Sequence, residues 1–264
     1  MLVIAERINA TRRRIARAFE ERDANLLARE ARKQAKAGAG FIDVNAGSDP
    51  AREVENLQWA VEVVQDAVEL PLCLDSPNPE ALRAGVALIR ADQVMLNSVT
   101  GEQEKMDKVL PLAAECGARL VALAMDDRGL PETADRRVEI AAAIVKAAGD
   151  HGIPADRLYV DPCIQPVSTN PAQAMEVVSA VFRIMQAFEG IHTTCGLSNI
   201  SFGLPGRALI NRTYLGALIM AGLDSAIVDP TADGLMDTVR AAEALAGRDE
   251  FCMNYIRAAR EAGA

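Results

Sequence analysis

Short apolar runs alternate with longer stretches of mixed polarity along the whole chain. The runs are rich in Val, Leu and Ile, as strands buried on both faces are, and the stretches between them have the spacing of amphipathic helices. We predict eight strands, at residues 2–8, 41–45, 70–75, 93–97, 119–125, 158–161, 193–198 and 226–229. Because strands and helices alternate without tight hairpins, the pattern predicts a parallel sheet.

The predicted strand ends are 22 to 38 residues apart, which is the length of one strand, one helix and two loops. A total of 264 residues fits eight such units in one closed barrel. An open doubly wound sheet usually carries a glycine-rich phosphate turn after its first strand, but residues 5–14 contain no glycine. We therefore predict an α/β fold, a (β/α)8 TIM barrel that forms a single domain over residues 1–264.

Two helix starts are marked by an asparagine that precedes a proline. An asparagine side chain caps the free N–H groups of a helix, and proline is tolerated at the first helical position. Asn78-Pro79 and Asn170-Pro171 have this pattern. We expect a helix to begin at each of them.

The net charge and the short apolar runs argue against two kinds of partner, nucleic acids and membranes. The formal net charge of −9 argues against a nucleic-acid surface, which needs clustered Lys and Arg to neutralise phosphates. No apolar run approaches the roughly 18 to 20 residues that cross a bilayer, and the chain opens on a strand with no signal-peptide profile. We expect a cytoplasmic protein with neither a nucleic acid nor a membrane as partner.

The residue types that usually carry metal or covalent chemistry are few or misplaced. The five cysteines form no C-x-x-C pair, so neither a disulfide framework nor a four-ligand zinc site is indicated. All five lysines fall in predicted helices, which leaves no Schiff-base lysine at a strand end. His151 and His192 lie away from the carboxyl ends of the strands, so they do not assemble a zinc hydrolase or a Ser-His-Asp site.

Polar side chains instead end several of the strands. Asp75, Asn97 and Asp161 each follow an apolar run directly, and the motif Gly196-Leu-Ser-Asn-Ile-Ser-Phe-Gly-Leu-Pro-Gly-Arg207 places Asn199 at the end of the seventh strand. The carboxyl ends of barrel strands form one site, so these four side chains are expected to face one cavity. Carboxylates accept the paired donors of a guanine-like ring edge, and amides both donate and accept, as a reduced pterin requires. Magnesium binding by the two carboxylates is the alternative.

Three other polar residues near strand ends are interpreted differently. Asp43 and Asn45 alternate in phase on the second strand, so we expect one to line the cavity and the other to be a hydrogen-bonded group of the core. Asp229 precedes Pro230 and is interpreted as a strand terminator, because a residue before proline favours extended backbone.

With Glu6 and Asn9 of the opening Ile-Ala-Glu-Arg-Ile-Asn, these motifs resemble, nearly end to end, the methyltetrahydrofolate:corrinoid protein methyltransferases and the folate domain of cobalamin-dependent methionine synthase. The resemblance implies that Asn199 hydrogen-bonds the pterin N5 as the catalytic residue, and that Arg207 binds near the reacting group. It implies that the other matching residues bind the substrate: Glu6, Asn9, Asp75, Asn97, Asp161, Gly196 and Ser198.

The resemblance also implies the reaction. A methyl group moves between N5 of methyltetrahydrofolate and the cobalt of a cobalamin carried by a separate corrinoid protein, by displacement on an N5-protonated pterin. Folate is then a substrate, the enzyme has no bound metal, and it is a homodimer. Two alternatives are a dihydropteroate synthase-like enzyme and a non-catalytic folate-binding protein. The first needs a catalytic lysine and a phosphate-binding group, and the end of the eighth strand at 229–233 has no arginine or histidine beside it in the sequence.

Two segments remain with open interpretations. The run Arg12, Arg13, Arg14 and Arg17 is interpreted as the solvated face of a short helix, and the alternative is an anion contact with a folate's glutamate tail or an acidic partner. The final segment, 250–264, carries several apolar residues. It is expected either to close the bottom of the barrel or to contribute to a dimer contact.

Overall fold

The computed structural model describes residues 1–47, 49–261 and 263. Within them the chain forms the strands β1 (Leu2–Asn9), β2 (Phe41–Asn45), β3 (Leu72–Asp75), β4 (Val94–Thr100), β5 (Arg119–Leu123), β6 (Leu158–Asp161), β7 (His192–Thr193) and β8 (Ser225–Val228). The helices of the same residues are α1 (Arg13–Glu21), α2 (Ala24–Lys36), α3 (Glu53–Ala67), α4 (Pro79–Val86), α5 (Gln103–Cys116), α6 (Ala134–Asp150), α7 (Gln173–Ala187), α8 (Arg207–Ala221), α9 (Leu235–Leu245) and α10 (Met253–Glu261). None of these helices has both the length and the apolar character needed to span a membrane.

The strands are parallel and hydrogen-bonded in the order β7-β6-β5-β4-β3-β2-β1-β8. The two ends of this sheet meet where the Ile227 N–H on β8 donates to the Cys195 carbonyl just after β7, at 2.9 Å. The sheet is therefore a nearly closed barrel, and successive helices contact one another around it. The prediction of a (β/α)8 TIM barrel is confirmed.

The seventh strand is much shorter than the sequence predicted. β7 ends at Thr193, and Leu197–Ser201 form a turn of 3-10 helix. Backbone pairing continues beyond Thr193, since the Thr194 N–H donates to the Val160 carbonyl at 2.9 Å and Gly196 forms a parallel bridge with Ile227, and the chain turns away after Gly196. The Gly196 N–H donates to Asp161 Oδ2 at 3.3 Å, and the Asn199 N–H donates to the Gly196 carbonyl at 3.3 Å. Asn199 consequently lies in a helical turn after β7, and its expected position at a strand end was wrong.

One of the two predicted helix starts is also wrong. Asn78 caps α4, with Pro79 as the first helical residue, as expected. Asn170 instead precedes a turn, and α7 begins only at Gln173. The Asn170 side chain accepts the Ala172 N–H at 3.0 Å, as Asn78 accepts the Glu80 N–H, but the Asn170 carbonyl accepts the Gln173 N–H at 3.2 Å and so closes a short turn before α7 begins.

The inside of the barrel is apolar at its lower end, where the strands begin. The buried side chains that fill it are Ile4, Phe41, Cys73, Met95, Val121 and Tyr159. The Arg119 guanidinium covers this end, 5.2 Å from the Phe41 ring centre, and donates to the Tyr159 hydroxyl at 3.1 Å. His192 stacks on Tyr159 and hydrogen-bonds Asp224 at 2.6 Å. The lower end is therefore filled by side chains.

The barrel interior becomes polar towards its upper end. Side chains alternate along a strand, so the residue two positions after an inward-facing one also faces inward. From the apolar set these positions are Glu6, Asp43, Asp75, Asn97, Leu123 and Asp161, and all six line one cavity. Five of them are polar, so the same alternation that builds the core also builds a site.

Candidate functional site

The upper end of the barrel holds a cavity of about 430 Å³. The sequence-predicted residues that line it are Glu6, Asn9, Asp75, Asn97, Asp161, Gly196 and Asn199. A second cavity of about 600 Å³ adjoins the first and shares Glu6, Asn9 and Asn199 with it. Ser198 and Arg207 line this second cavity. We call the two the inner cavity and the outer cavity.

Two aspartates from neighbouring strands form one wall of the inner cavity. Asp43 is 1% exposed, and its Oδ1 accepts a hydrogen bond from Asn97 Nδ2 at 3.4 Å. Burial, together with the charge of Asp75, raises the pKa of Asp43 well above its ordinary value. Burial likewise raises the pKa of Asp75 to about 6, although the Asn45 amide donates to Asp75 Oδ2 at 2.8 Å and opposes the rise.

The third aspartate, Asp161, lies on the opposite wall. Its Oδ1 accepts the Cys163 N–H at 2.7 Å, and its Oδ2 accepts the Gly196 N–H at 3.3 Å. Burial raises the pKa of Asp161 to about 6, and these two backbone bonds, together with the charge of Arg137, limit the rise. Half of its lone pairs are thus used by the protein. The rest are available to a ligand that carries N–H donors.

The Asn199 amide is held at the junction of the two cavities. Among the described residues the structure gives its side chain no hydrogen-bond partner, although the backbone around it is fixed by the 3-10 turn. A Cβ at Gly196 would lie 3.2 Å from Asn199 Nδ2, so a glycine at 196 keeps the amide free of a close contact. The amide can therefore bond a ligand without first breaking a protein contact.

The charged side chains that line the outer cavity are hydrogen-bonded to neighbouring residues. Glu6 Oε1 accepts the Ser198 hydroxyl at 2.9 Å and Arg12 Nη2 at 3.2 Å, and burial raises the Glu6 pKa in spite of these contacts. The Arg207 Nη2 donates to the Ser198 carbonyl at 2.6 Å, and its Nε donates to the Ser201 hydroxyl at 3.0 Å. Arg207 thus braces the turn that carries Asn199.

The structure corrects two expectations at the end of β8. Asp229 is more than a strand terminator, because its Oδ2 accepts Arg7 Nη1 at 2.8 Å, and Arg12 Nη1 lies 4.0 Å from the same oxygen. Burial opposes ionisation of Asp229, but hydrogen bonds from Thr231 and Arg7 outweigh it and lower the pKa. Arginines do lie beside 229–233 in space, since β1 is the sheet neighbour of β8. Arg7 also pairs with Glu30 at 2.7 Å, so its charge is already balanced.

The basic run divides between surface and site. Arg17 pairs with Glu21 on the exposed face of α1 at 2.8 Å, and Arg13 is exposed. Arg14 lies 3.7 Å from Glu30. Arg12 is the member of the run that lines the outer cavity. The solvated-face interpretation therefore fits most of the run, and the anion-contact alternative is confined to Arg12.

The lysines and histidines lie away from the walls of both cavities. The five lysines lie within α2, α5 and α6, as predicted. His192 begins β7 at the filled lower end, and His151 follows α6. Across residues 1–47, 49–261 and 263, no group of three or more His, Cys, Asp or Glu has a metal-binding arrangement.

Asp43 and Asn45 on β2 take the two positions expected of them. Asp43 lines the cavity, and Asn45 is the hydrogen-bonded group, which donates to the cavity residue Asp75. The signal was present in the strand alternation, because Asp43 follows Phe41 by the same two positions that separate Asp75 from Cys73.

Comparison with known proteins adds independent information. The family model described as pterin binding enzyme matches residues 5–229. A methylcorrinoid:tetrahydrofolate methyltransferase of Eubacterium limosum is 39% identical over 263 residues, which are 99% of this chain and 97% of that protein. The methionine synthase of Mycobacterium tuberculosis is 30% identical over 241 residues, which are 86% of this chain and 20% of that protein.

Solved dihydropteroate synthases have the same fold. The enzyme of Thermus thermophilus superimposes with a TM-score of 0.71 at 19% identity, over 92% of this chain and 94% of that chain. The Xanthomonas albilineans enzyme in complex with 7,8-dihydropteroate superimposes with a TM-score of 0.68 at 19% identity, over 83% of each chain. At such identity the likeness concerns the fold alone. The family match spans most of the barrel and every strand that lines the inner cavity, and the chain therefore belongs to the pterin-binding enzyme family.

Proposed function

We propose that this protein transfers a methyl group between the cobalt of a corrinoid protein and N5 of tetrahydrofolate. The observation that carries the proposal is the inner cavity, in which Asp75, Asn97, Asp161 and Asn199 meet. Its volume of about 430 Å³ lies within the range of small-molecule pockets. The Eubacterium limosum relative, which this chain matches over nearly its full length, is named for that reaction.

In this proposal the inner cavity binds the pterin ring. Asp75 and Asp161 accept ring N–H donors as carboxylates, and Asn97 both donates and accepts. Each charge-assisted contact contributes about 1.5 to 3 kcal/mol, and a similar amount is lost when a buried donor stays unpaired. Glu6 and Asn9, which border both cavities, contact the same ligand from the side of the outer cavity.

The transfer is a displacement in which the methyl group moves without its bonding electron pair. When methyl leaves cobalt, cobalt keeps the pair, the N5 lone pair forms the new bond, and the N5 proton is released. In the opposite direction N5 is protonated before methyl leaves. We propose that the Asn199 amide follows the charge at N5, because it can donate to the lone pair and accept from the protonated nitrogen. A bond that is strongest in the transition state raises rate more than affinity.

The second substrate reaches the site from outside. In this proposal a corrinoid bound to its own protein approaches N5 through the outer cavity, which adjoins the inner cavity and is lined by Ser198 and Arg207. We propose that this face receives the corrinoid protein, that the enzyme binds folate without a metal of its own, and that the protein works in the cytoplasm.

We also propose that the protein is a homodimer. Apolar side chains are exposed around α10, where Phe251 is 84% exposed and Met253 is 55% exposed. Exposed apolar side chains close together in the sequence are a common feature of surfaces covered by a partner, and two-fold dimers are the commonest assembly. We expect light scattering at micromolar concentration to give twice the mass of the chain. A monomer mass would contradict the dimer.

Mixing the protein anaerobically with methyltetrahydrofolate and free cob(I)alamin tests the proposed reaction. The visible spectrum is expected to change to that of methylcobalamin at a rate proportional to protein concentration. Tight folate binding without any methylcobalamin would instead support the non-catalytic folate-binding protein. A dihydropteroate synthase-like reaction is disfavoured because the lysines lie in α2, α5 and α6, away from the carboxyl ends of the strands.

A further inference from the structure

Arg137 on α6 is a charged side chain buried completely inside the protein, with an exposed fraction of 0%. A guanidinium in a low-dielectric interior is unfavourable unless it is paired with a carboxylate or hydrogen-bonded throughout. Among the described residues Arg137 forms no salt bridge, and its Nη1 has no hydrogen-bond partner. Burial lowers its pKa accordingly. Packing alone does not account for a charge in this position.

The hydrogen bonds of Arg137 converge on one turn. Its Nε donates to the Pro162 carbonyl at 2.6 Å, and its Nη2 reaches the Cys163 carbonyl at 3.4 Å. The same Nη2 donates to Gln173 Oε1 at 2.6 Å, at the start of α7. The guanidinium thus ties the turn after β6 to the helix that follows it.

This turn has a backbone that needs support. Cys163 has a φ of +59°, in the left-handed region that residues other than glycine rarely adopt. Such a conformation persists when surrounding contacts hold it. Arg137 binds the carbonyl before the Cys163 Cα, which belongs to Pro162, and the carbonyl after it, which belongs to Cys163 itself.

The 162–163 turn also holds Asp161. The Cys163 N–H donates to Asp161 Oδ1 at 2.7 Å, so the residue that Arg137 binds at its carbonyl orients the carboxylate through its amide. We propose that Arg137 is a positioning residue, which fixes the 162–163 turn so that Asp161 presents its free lone pairs to the pterin. This inference rests on the proposed function, because it takes Asp161 as a pterin contact.

The positive charge of Arg137 also favours the ionised form of Asp161, in addition to the hydrogen bonds that fix the turn. It is one of the influences that limit the burial-driven rise of the Asp161 pKa. The other titratable or charged groups around Asp161 are Cys163, Cys195 and, across the cavity, Glu6, Asp43 and Asp75. Removal of Arg137 therefore raises the pKa of Asp161, and a carboxylate that must be ionised to bind becomes protonated at a higher pH.

The test is a double-mutant cycle read as tetrahydrofolate affinity by calorimetry between pH 5 and 8. Arg137→Met is expected to weaken binding at pH 7 by about 10-fold and to move the acid limb of the affinity profile to higher pH. In an Asp161→Asn background the same change is expected to weaken binding less than about 2-fold, because its effect passes through Asp161. The control is Arg136→Met, which removes the neighbouring arginine that pairs with Asp126 and Glu139 outside the site.

A second variant covers the case in which Arg137→Met fails to fold. Arg137→Lys keeps the charge but loses the forked donor geometry, so we expect weaker binding by about 3-fold with an acid limb close to that of the wild type. The proposal would be overturned if the Arg137 change lowered tetrahydrofolate affinity equally in the wild-type and Asp161→Asn backgrounds, or in neither of them. In that case Asp161→Asn by itself would still bind tetrahydrofolate more weakly than the wild type. Wild-type affinity in Asp161→Asn itself is a different result, which removes Asp161 from the proposed pterin site.

Discussion

Replacing Asn199 with alanine is expected to lower the turnover of methyl transfer by about 100- to 1,000-fold, with a smaller loss of folate affinity. The reason is that its amide, which has no partner among the described residues, is free to follow the charge that develops at N5. Removal of one positioned donor or acceptor in a transition state has an effect of this size. Asn199→Asp should restore part of the rate, because a carboxylate still accepts from a protonated nitrogen.

The Asn199 prediction is measured by single-turnover methyl transfer with cobalamin, beside a folate titration on the same variants. Asn170→Ala serves as the control, since it removes an asparagine amide from a turn outside both cavities. If Asn199→Ala lowered affinity and rate by the same factor, or lowered neither, Asn199 would be an ordinary pterin contact or a turn residue.

Asp161→Asn is expected to weaken tetrahydrofolate binding by about 10- to 100-fold and, at the same time, to stabilise the free protein. Binding is lost because the substituted amide presents a donor where the carboxylate accepts. Asp75→Asn should weaken binding in the same way, and Asn97→Ala should do so less strongly. An affinity equal to that of the wild type would mean that these residues only end their strands.

The stability gain follows from the sign of the pKa change. Well below pH 3.8 the Asp161 carboxyl is protonated in the folded and the unfolded chain alike. As pH rises to about 6, the unfolded chain ionises first, so the free energy of unfolding falls. A rise from 3.8 to about 6 corresponds to on the order of 3 kcal/mol at neutral pH. Asparagine removes this cost but loses charge-assisted bonds, so we expect a net gain of about 1 to 3 kcal/mol in urea unfolding at pH 7.5.

Asp229 is a matched control, because its pKa is shifted in the opposite direction to that of Asp161. Asp229 is ionised at neutral pH in a favourable environment, because Thr231 and Arg7 outweigh the effect of burial and lower its pKa. Asp229→Asn is therefore expected to destabilise the protein by roughly 1 kcal/mol. Destabilisation by both substitutions would contradict the opposite directions of the two pKa shifts.

The barrel and much of the site were predictable because both follow from short-range patterns. Period-two alternation and recurrent strand ends locate Asp75, Asn97 and Asp161 without any knowledge of distant contacts. The same alternation places Asp43 on the inward face of β2, where it lines the cavity, as expected for one of the pair Asp43 and Asn45.

Features that depend on contacts between remote residues were not predictable. The Arg7–Asp229 ion pair joins residues 222 positions apart, and it exists because the barrel closes β1 against β8. The bond from the Gly196 N–H to the Asp161 carboxylate likewise joins residues 35 positions apart. In the sequence Arg137 is one of several charged residues of a helix, and nothing local marks it as buried. Its burial results from the packing of α6 over the turn after β6.

The central claim is that ionised aspartates in the inner cavity bind the reduced pterin. Calorimetric titration of tetrahydrofolate into wild-type protein and into Asp161→Asn, between pH 5 and 8, tests it most directly. We expect one folate per chain, with wild-type affinity that is highest above pH 7 and falls as pH drops through about 6, where Asp75 and Asp161 become protonated. We expect a weaker affinity for Asp161→Asn at every pH above 6. A wild-type affinity that is unchanged from pH 5 to 8 and equal to that of Asp161→Asn would contradict it.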